Sequence, residues 1–417
     1  MRATRKRNRK LDRWFDKPPT PLILHLDVDA FFASVEQLLI PMYCEKPVAV
    51  GNGVIASCSY EARQFGLHAG MALHEARKRC PGLVILDGQY QIYRCFAEHI
   101  WQITRQYANS LETFLDEAYG DATGMEAIYG NGEAIGRSLQ QQVADEVGLP
   151  VSVGLAENRM LAKIASSAVK PRGVCWIRPG QADAFLADLP VETIPGVGRK
   201  TKAQLAEMNI HTVRQLRELS SRSLKTMFGR RGEIIYERAR GRDVQSLRPD
   251  ALPKTISRET TFHKPTCDAD EVLAMLTYLL QRAMRTVRGH KLMTGCLELN
   301  LRYEDWRGKT VRRALDEPTD CDEDVYALLT ELLTTHKTRR VALRHVGIVL
   351  SNLVRNDGAK LFESPQRSQQ RQLHRAVDGI RDKWGHGSVI SGESIELLGR
   401  LQRDDYGFVL RTPSLTK

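Results

Sequence analysis

PLILHLDVDAFFASVEQ, residues 21–37, is the stretch from which the rest of the chain can be read. Pro21 to Val28 is a short apolar run of β-forming residues and predicts a buried strand. Two acids close it, Asp27 and Asp29, which a strand chosen for stability alone would not carry. We read Asp27 and Asp29 as projecting to opposite faces, so that they do not both point at one site. Phe31-Phe32 follow at once, and a helix is predicted over Ala33–Leu39.

Outward from this stretch, strands and helices alternate. Strands are predicted at Pro47–Val50, Leu83–Leu86, Leu111–Ala118 and Val151–Leu155, with Asp116 and Glu117 on the third. Helices are predicted at Tyr60–Phe65, 91–108, Gly132–Val147 and Asn158–Lys170, the last ended by Pro171. One sheet carrying carboxylates on two strands fits a ferredoxin-like β-α-β-β-α-β core. Residues 177–245 contain no convincing strand and read as a small all-helical unit. Residues 246–254 (SLRPDALPK) carry two prolines and read as a linker. Residues 255–355 return to strand–helix–strand patterning, with strands at Glu298–Tyr303 and Val346–Leu353 and helices at Val272–Val287 and Asp324–Thr335. Residues 1–20 read as a basic flexible arm and 356–417 as a polar, helix-prone, loosely attached tail.

Of 417 residues, 42% are apolar and 27% charged, which excludes wholesale disorder and a fibrous repeat. No apolar run reaches the ~18 residues of a membrane span, so a soluble, cytoplasmic protein is expected. The Arg/Lys-rich start lacks the apolar core of a secretory signal. The eight cysteines form no CxxC pair and read as reduced thiols. The net charge of +11 is unevenly spread: residues 1–17 hold eight bases and two acids, 18–180 hold 13 bases and 17 acids, and 181–250 hold 13 bases and nine acids. A basic exterior suits a polyanion such as DNA. An acidic block inside it suits carboxylates kept for metal binding.

Asp27, Asp116 and Glu117 offer such carboxylates. Phosphoryl transfer with two Mg²⁺ ions needs hard oxygen ligands converging on one point, and the Val28 carbonyl adds another. Tyr60 and Arg63 share a helix face and offer a phenol and a guanidinium to a triphosphate. Lys163 and Lys170, seven apart on one helix face, either reach a phosphate or are solvated. Phe31 and Phe32 either pack in the core or lie against a nucleotide sugar and exclude its 2′-hydroxyl. Ile194 to Thr201 (IPGVGRKT) is a Gly-rich turn entering a helix. Its backbone N–H groups can approach phosphate, and Arg199 and Lys200 add charge. This is the pattern of a helix-hairpin-helix, which grips the DNA backbone without reading sequence.

Together, LDVDAFFASVEQ (26–37), SYEARQFGLHAGM (59–71), LDEAYGDATG (115–124), SVGLAENRMLAKIASSAVKPRG (152–173) and IPGVGRKT (194–201) resemble the Y-family, translesion DNA polymerases, nearest the bacterial DNA polymerase IV (DinB-type) branch. The resemblance implies a multidomain α+β, right-hand architecture: palm 21–29 and 86–176, fingers 30–85, a helical thumb 177–245 with the helix-hairpin-helix, and an α/β little finger 255–355. It implies that Asp27 and Asp116 bind both catalytic metals, that Glu117 binds the metal at the primer 3′-hydroxyl, and that Val28 lends its carbonyl, while Asp29 is no ligand. Phe32 falls on the steric-gate position, with Phe31 beside it. Ser57, Tyr60, Arg63 and Lys170 fall on triphosphate-contacting positions, and Gly196, Gly198, Arg199, Lys200 and Thr201 on the DNA-gripping hairpin.

Two residues depart from the family pattern. Phe114 stands where Ser is usual, and Gly120 replaces an aliphatic residue; both are expected beside the metal site. Leu361 and Phe362 keep only the end of a clamp-binding peptide. The partners implied are primer–template DNA, dNTPs and a sliding clamp, and the chain is expected to act as a monomer. The leading reading is a low-fidelity, template-directed DNA polymerase of damage tolerance. Its rivals are a non-catalytic homologue acting as a DNA- and clamp-binding adaptor, and a palm-type nucleotidyl cyclase, which would not need a hairpin-helix thumb.

Overall fold

The computed structural model describes residues 20–249, 252–356, 364–395 and 397. The basic arm and the Leu361-Phe362 peptide lie outside them. The chain divides into two compact units at residues 250 and 251, inside the expected linker.

The first unit is built on a five-stranded sheet. Its strands are β1 (Ile23–Val28), β5 (Leu111–Thr113), β6 (Glu117–Asp121), β7 (Val151–Ala156) and β8 (Val174–Trp176) in the order β5-β6-β1-β7-β8. Only the β7–β8 pair is parallel. Leaving out β8, this is the strand order of a ferredoxin-like β-α-β-β-α-β core. A second small sheet joins β2 (Val48–Val50), β3 (Ser57–Cys58) and β4 (Val84–Leu86).

β1 is central, so both its faces are covered and its sequence is almost continuously apolar. Leu24, Leu26 and Val28 enter one core with Ile100 of the helix Tyr90–Thr104 and Leu139 and Val143 of the helix Gly132–Val147. The other face carries Ile23, His25 and Asp27, and the helix Arg159–Ala168 packs over it. Gly154 of β7 pairs with His25. A Cβ on Gly154 would stand 2.1 Å from the Ala162 carbonyl oxygen and 2.4 Å from the Ser166 nitrogen. A glycine there is therefore what lets the helix backbone close on the sheet and bring its polar residues to β1.

The expected strand Leu111–Ala118 is in fact a hairpin of β5 and β6, closed by Phe114 N–H donating to the Glu117 carbonyl at 2.8 Å. Asp116 lies in the turn, its carbonyl accepting the Val28 N–H at 2.8 Å, and Glu117 starts β6. Residues 177–245 are helical as read, apart from an isolated bridge between Pro190 and Thr212, with a core that includes Ile194, Leu205, Leu216 and Ile235.

The second unit has an antiparallel sheet of β9 (Ile256–Thr266), β10 (Leu292–Tyr303), β11 (Gly308–Thr319) and β12 (Leu343–Arg355), ordered β11-β10-β12-β9. Helices Ala269–Gly289 and Asp322–His336 supply its core together with β10 and β12. The patterning above contains neither β9 nor β11. β11 is an edge strand that buries only Thr319, so it lacks the apolar alternation that marks a strand.

The tail reading needs correction. Pro365–Trp384 is a helix whose Arg371, His374 and Arg381 are buried. Asp378 receives Arg288 at 2.6 Å, and Arg371 and Arg367 reach Asp320 and Asp324 at 2.8 and 2.7 Å. Leu397 enters the second unit's core. The segment docks through buried charge, which composition reports only as polarity. No described helix is long and apolar enough to cross a membrane.

Candidate active site

Asp27 and Glu117 stand directly opposite each other on β1 and β6. Like charges so placed repel, and a fold keeps them only with compensation. Lys170 bonds the Asp27 carboxylate and Lys163 the Glu117 carboxylate. His25 completes the group, its Nε2 3.3 Å from Glu117 and its Nδ1 2.7 Å from the Ser166 hydroxyl. Burial holds the His25 imidazole below its ordinary pKa, against the pull of Glu117. Burial would raise the Glu117 carboxyl, but bonds from His25 and Lys163 win and bring it to about 2. Asp116 is pushed up by the protein mass around it and then by the neighbouring carboxylates of Asp27 and Glu117. His25, Asp27 and Glu117 offer ligand atoms within 4.8 Å of one another. A carboxylate raised by two others that each hold a lysine is a donor set suited to a hard divalent cation.

Asp29 does point elsewhere, but not through strand alternation, which would put residues two apart on one face. β1 ends at Val28, and the left-handed Ala30 (φ 48°) turns the chain. The fully buried Asp29 carboxylate accepts from Ser152 Oγ at 2.9 Å, from the Arg172 backbone at 2.8 Å and from Tyr60 Oη at 3.3 Å. It ties β1, β7, the loop after Lys170 and the Tyr60 helix together.

A cavity of about 490 Å³ opens beside the acids. Asp27, Val28, Phe31, Phe32, Ser57, Arg63, Asp116 and Lys170, eight of the residues singled out above, line it. Phe32 is held by rings: Tyr93 stacks on it at 4.4 Å and Tyr90 meets it edge-on at 5.4 Å. Phe31 is buried against both Phe32 and Tyr93. Tyr60, expected to contact the triphosphate, does not line the cavity. Its hydroxyl is spent on Asp29, its ring lies under the Arg63 guanidinium at 4.6 Å, and burial followed by Asp29 lifts the phenol to about 12. Tyr60 therefore supports Arg63. Ser59 caps this short helix by accepting from the Ala62 N–H.

The departures separate in space. Phe114 is exposed, 6.1 Å from Tyr119 ring to ring. The Arg159 guanidinium lies 3.9 Å over Tyr119 and 5.6 Å from Phe114, and pairs with Glu112. Gly120 is not beside the acids. Alternation turns it to the face opposite Glu117 and Tyr119, where a Cβ would stand 2.7 Å from Ala108 Cβ. Close packing against Ala108 explains the missing side chain.

In the Gly-rich turn, Gly196 takes φ 104° and Gly198 caps the helix Arg199–Glu207. Arg199 and Lys200 are exposed, with no ion pair among the described residues. Thr201, expected with them on the DNA-gripping hairpin, is buried.

The sequence reading missed His25, Ser152 and Ser166. His25 had a signal, since alternation from Asp27 puts it on the same face. Nothing local marks the two serines, which matter only once β7 and its following helix pack on β1.

Models of the impB/mucB/samB family match residues 26–167, with its C-terminal domain at 253–373 and a DNA polymerase-iota thumb domain at 192–243. A DNA polymerase IV of Desulfatibacillum aliphaticivorans is 35% identical over 377 residues, 88% of this chain and 95% of that one. A DNA polymerase IV of Alkalilimnicola ehrlichii is 35% identical over 338 residues, 80% of this chain and 95% of that one. Among solved structures, a Y-family DNA polymerase chimera of Dbh and Dpo4 aligns with a TM-score of 0.68 at 26% identity, covering 80% of this chain and all of that one. DinB from Sulfolobus solfataricus aligns at 0.58 and 27%, again covering 80% of this chain and all of that one. With relatives of this identity matched along nearly their whole length, and with domain models in the same order, this chain belongs to the Y family of DNA polymerases, in its DNA polymerase IV branch.

Proposed function

We propose that Asp27, Asp116 and Glu117, with the Val28 carbonyl, hold two Mg²⁺ ions for template-directed primer extension. The chain is a DNA-directed DNA polymerase by family. Relatives solved as DNA complexes include an insertion ternary complex of Dbh. The observation that carries the assignment is the cross-strand pairing of Asp27 with Glu117, with Asp116 beside them, at the edge of the cavity. When bound, such ions lower the pKa of the attacking hydroxyl and neutralise charge on the phosphate oxygens.

The chain's own groups do the rest. Lys170 lines the cavity and already bonds Asp27, so it can exchange that carboxylate for a triphosphate oxygen without moving far. Arg63, steadied by Tyr60 and by its bond to the Cys58 carbonyl, and Ser57 hold the triphosphate from the opposite wall. Phe32, immobilised by Tyr90 and Tyr93, presses on the sugar and excludes a 2′-hydroxyl. Lys163 and His25 orient Glu117. Gly196, Gly198, Arg199 and Lys200 take the DNA backbone.

The domain reading is palm 21–29 and 86–176, fingers 30–85, thumb 177–245 and little finger 255–355, now extended by the docked helix 365–384. The product is low-fidelity synthesis across damaged templates by a monomer in the cytoplasm, at the nucleoid. The adaptor reading is not favoured, because all three acids and both lysines are present and assembled.

Primer extension with Mg²⁺ and four dNTPs tests this. Asp116→Asn with Glu117→Gln is expected to abolish extension while leaving DNA affinity intact. Tight DNA binding by the unaltered chain without any extension would favour the adaptor.

A further inference from the structure

We infer that Cys321, Glu323 and His374 form a site for a thiophilic divalent cation, with Zn²⁺ the best match, that latches the helix Pro365–Trp384 to the second unit. The three residues come from two elements that are far apart in sequence. Cys321 precedes the helix Asp322–His336 and Glu323 lies in its first turn, whereas His374 lies mid-way along the docked helix. One ligand atom from each lies within 4.8 Å of the others. Ligands of a single tetrahedral zinc stand about 3.5 Å apart, so a small side-chain closure completes the set. Thiolate, imidazole and carboxylate are zinc's usual protein ligands, and water takes the fourth position.

Three further observations point to a ligand. Cys321 occupies the N-cap position, where Ser, Thr, Asp or Asn normally accepts a backbone N–H, yet its side chain makes no cap bond. His374 is 8% exposed; its Nε2 faces Glu323 at 3.2 Å, while its Nδ1 is buried with no hydrogen-bond partner among the described residues. An unpaired buried nitrogen is costly, and metal ligation from one ring nitrogen orients the ring that carries it. The surroundings also favour a cation. Four of the five residues 320–324 are acids, of which Asp320 and Asp324 pair with Arg371 and Arg367 and Asp322 with Arg288. Glu323 is left half exposed, with the histidine its one ion-pair partner among the described residues. Glu323 and His374 also line a cavity of about 370 Å³, which gives an ion a route in. On binding, the Cys321 thiol gives its proton to solvent and its sulfur pair to the metal.

The test uses the full chain, stripped with chelator and titrated with Co²⁺. A thiolate ligand gives a near-ultraviolet sulfur-to-cobalt charge-transfer band, which the oxygen ligands of the Asp27 cluster cannot produce. We expect the band to saturate at about one ion per chain and Zn²⁺ to displace it. Cys321→Ser and His374→Ala should lose it, and Glu323→Gln should bind about 10-fold more weakly or worse. A second readout needs no variant: Zn²⁺ should slow alkylation of Cys321, followed by peptide mass spectrometry, while leaving the exposed Cys267 unaffected. No band in the unaltered chain, an undiminished band in a Cys321→Ser chain folded by circular dichroism, or alkylation indifferent to Zn²⁺ would each overturn the site.

Discussion

The two units repeat one chain order, β-α-β-β-α-β, and spend buried charge in opposite ways. In the first unit the order β7-β1-β6-β5 puts the first and third strands side by side, which brings Asp27 of β1 against Glu117 of β6. In the second unit β9 pairs with the last strand, β12, at the sheet's end, and no such acid pair forms. There the buried charges are arginines from two helices: Arg288, held above its usual range against burial by Asp378 and Asp322, and Arg371, bonded to Asp320. The first arrangement leaves carboxylates at a cavity for chemistry. The second sets Arg288 and Arg371 against acids, while the buried Arg381 bonds the Val389 carbonyl and Gln281, and together they fix a helix. Strand order decides whether like or unlike charges meet.

The comparison can be broken most forcefully at the acids. Asp116→Asn with Glu117→Gln should cut primer extension by more than about 10⁴-fold, the scale on which preorganised electrostatic groups act. A modest loss would mean the first unit's charges are structural like the second's. Next, Arg288→Ala strands Asp322 and Asp378 in the interior and should cost about 3–5 kcal/mol in urea unfolding of the second unit, with the polymerase unit unaffected. Gly154→Ala should destabilise the first unit by roughly 1–3 kcal/mol and slow extension, since the helix bearing Lys163 must retreat.

A pH test separates the units further. His386, buried against Tyr278 with both ring nitrogens unpartnered among the described residues, is pulled down to about 2 by burial and then by Arg381, Arg282, Arg285 and Arg258. Its folded pKa lies below the unfolded value, so the unfolded chain binds the proton first. The second unit should therefore lose roughly 1.4 kcal/mol per pH unit as pH falls below 6.5. Hydrogen exchange across Ala269–Gly289 reads this, and His386→Phe should flatten the dependence. The smallest effect is Phe32→Ala, expected to raise ribonucleotide incorporation by ~10-fold while leaving dNTP use nearly intact. Unchanged sugar selection would take Phe32 out of the site and leave it as core packing with Tyr90 and Tyr93.

Most helices and the central strands of the first unit were legible in the residue order, because apolar periodicity and the capping and breaking residues are local signals; the helix Leu73–Arg79 was not. The resemblance of the chain's motifs to the family singled out Asp27, Asp116, Phe32, Arg63 and Lys170, and these line one cavity. The charge split that set an acidic block inside a basic chain was legible too, and that block is where the carboxylates gather. Tertiary structure decided the rest. The sequence reading makes Asp29 no ligand, but its partners Ser152 and Arg172, more than a hundred residues away, appear only in the fold. Tyr60, expected as a triphosphate contact, is found with its hydroxyl on Asp29 and its ring under Arg63. Edge strand β11 and the docked helix 365–384 hid behind polarity, since an arginine bound for a buried aspartate and one bound for water are the same letter. Burial and pairing belong to the partner as much as to the residue, and the partner is fixed only when the strands have chosen their order.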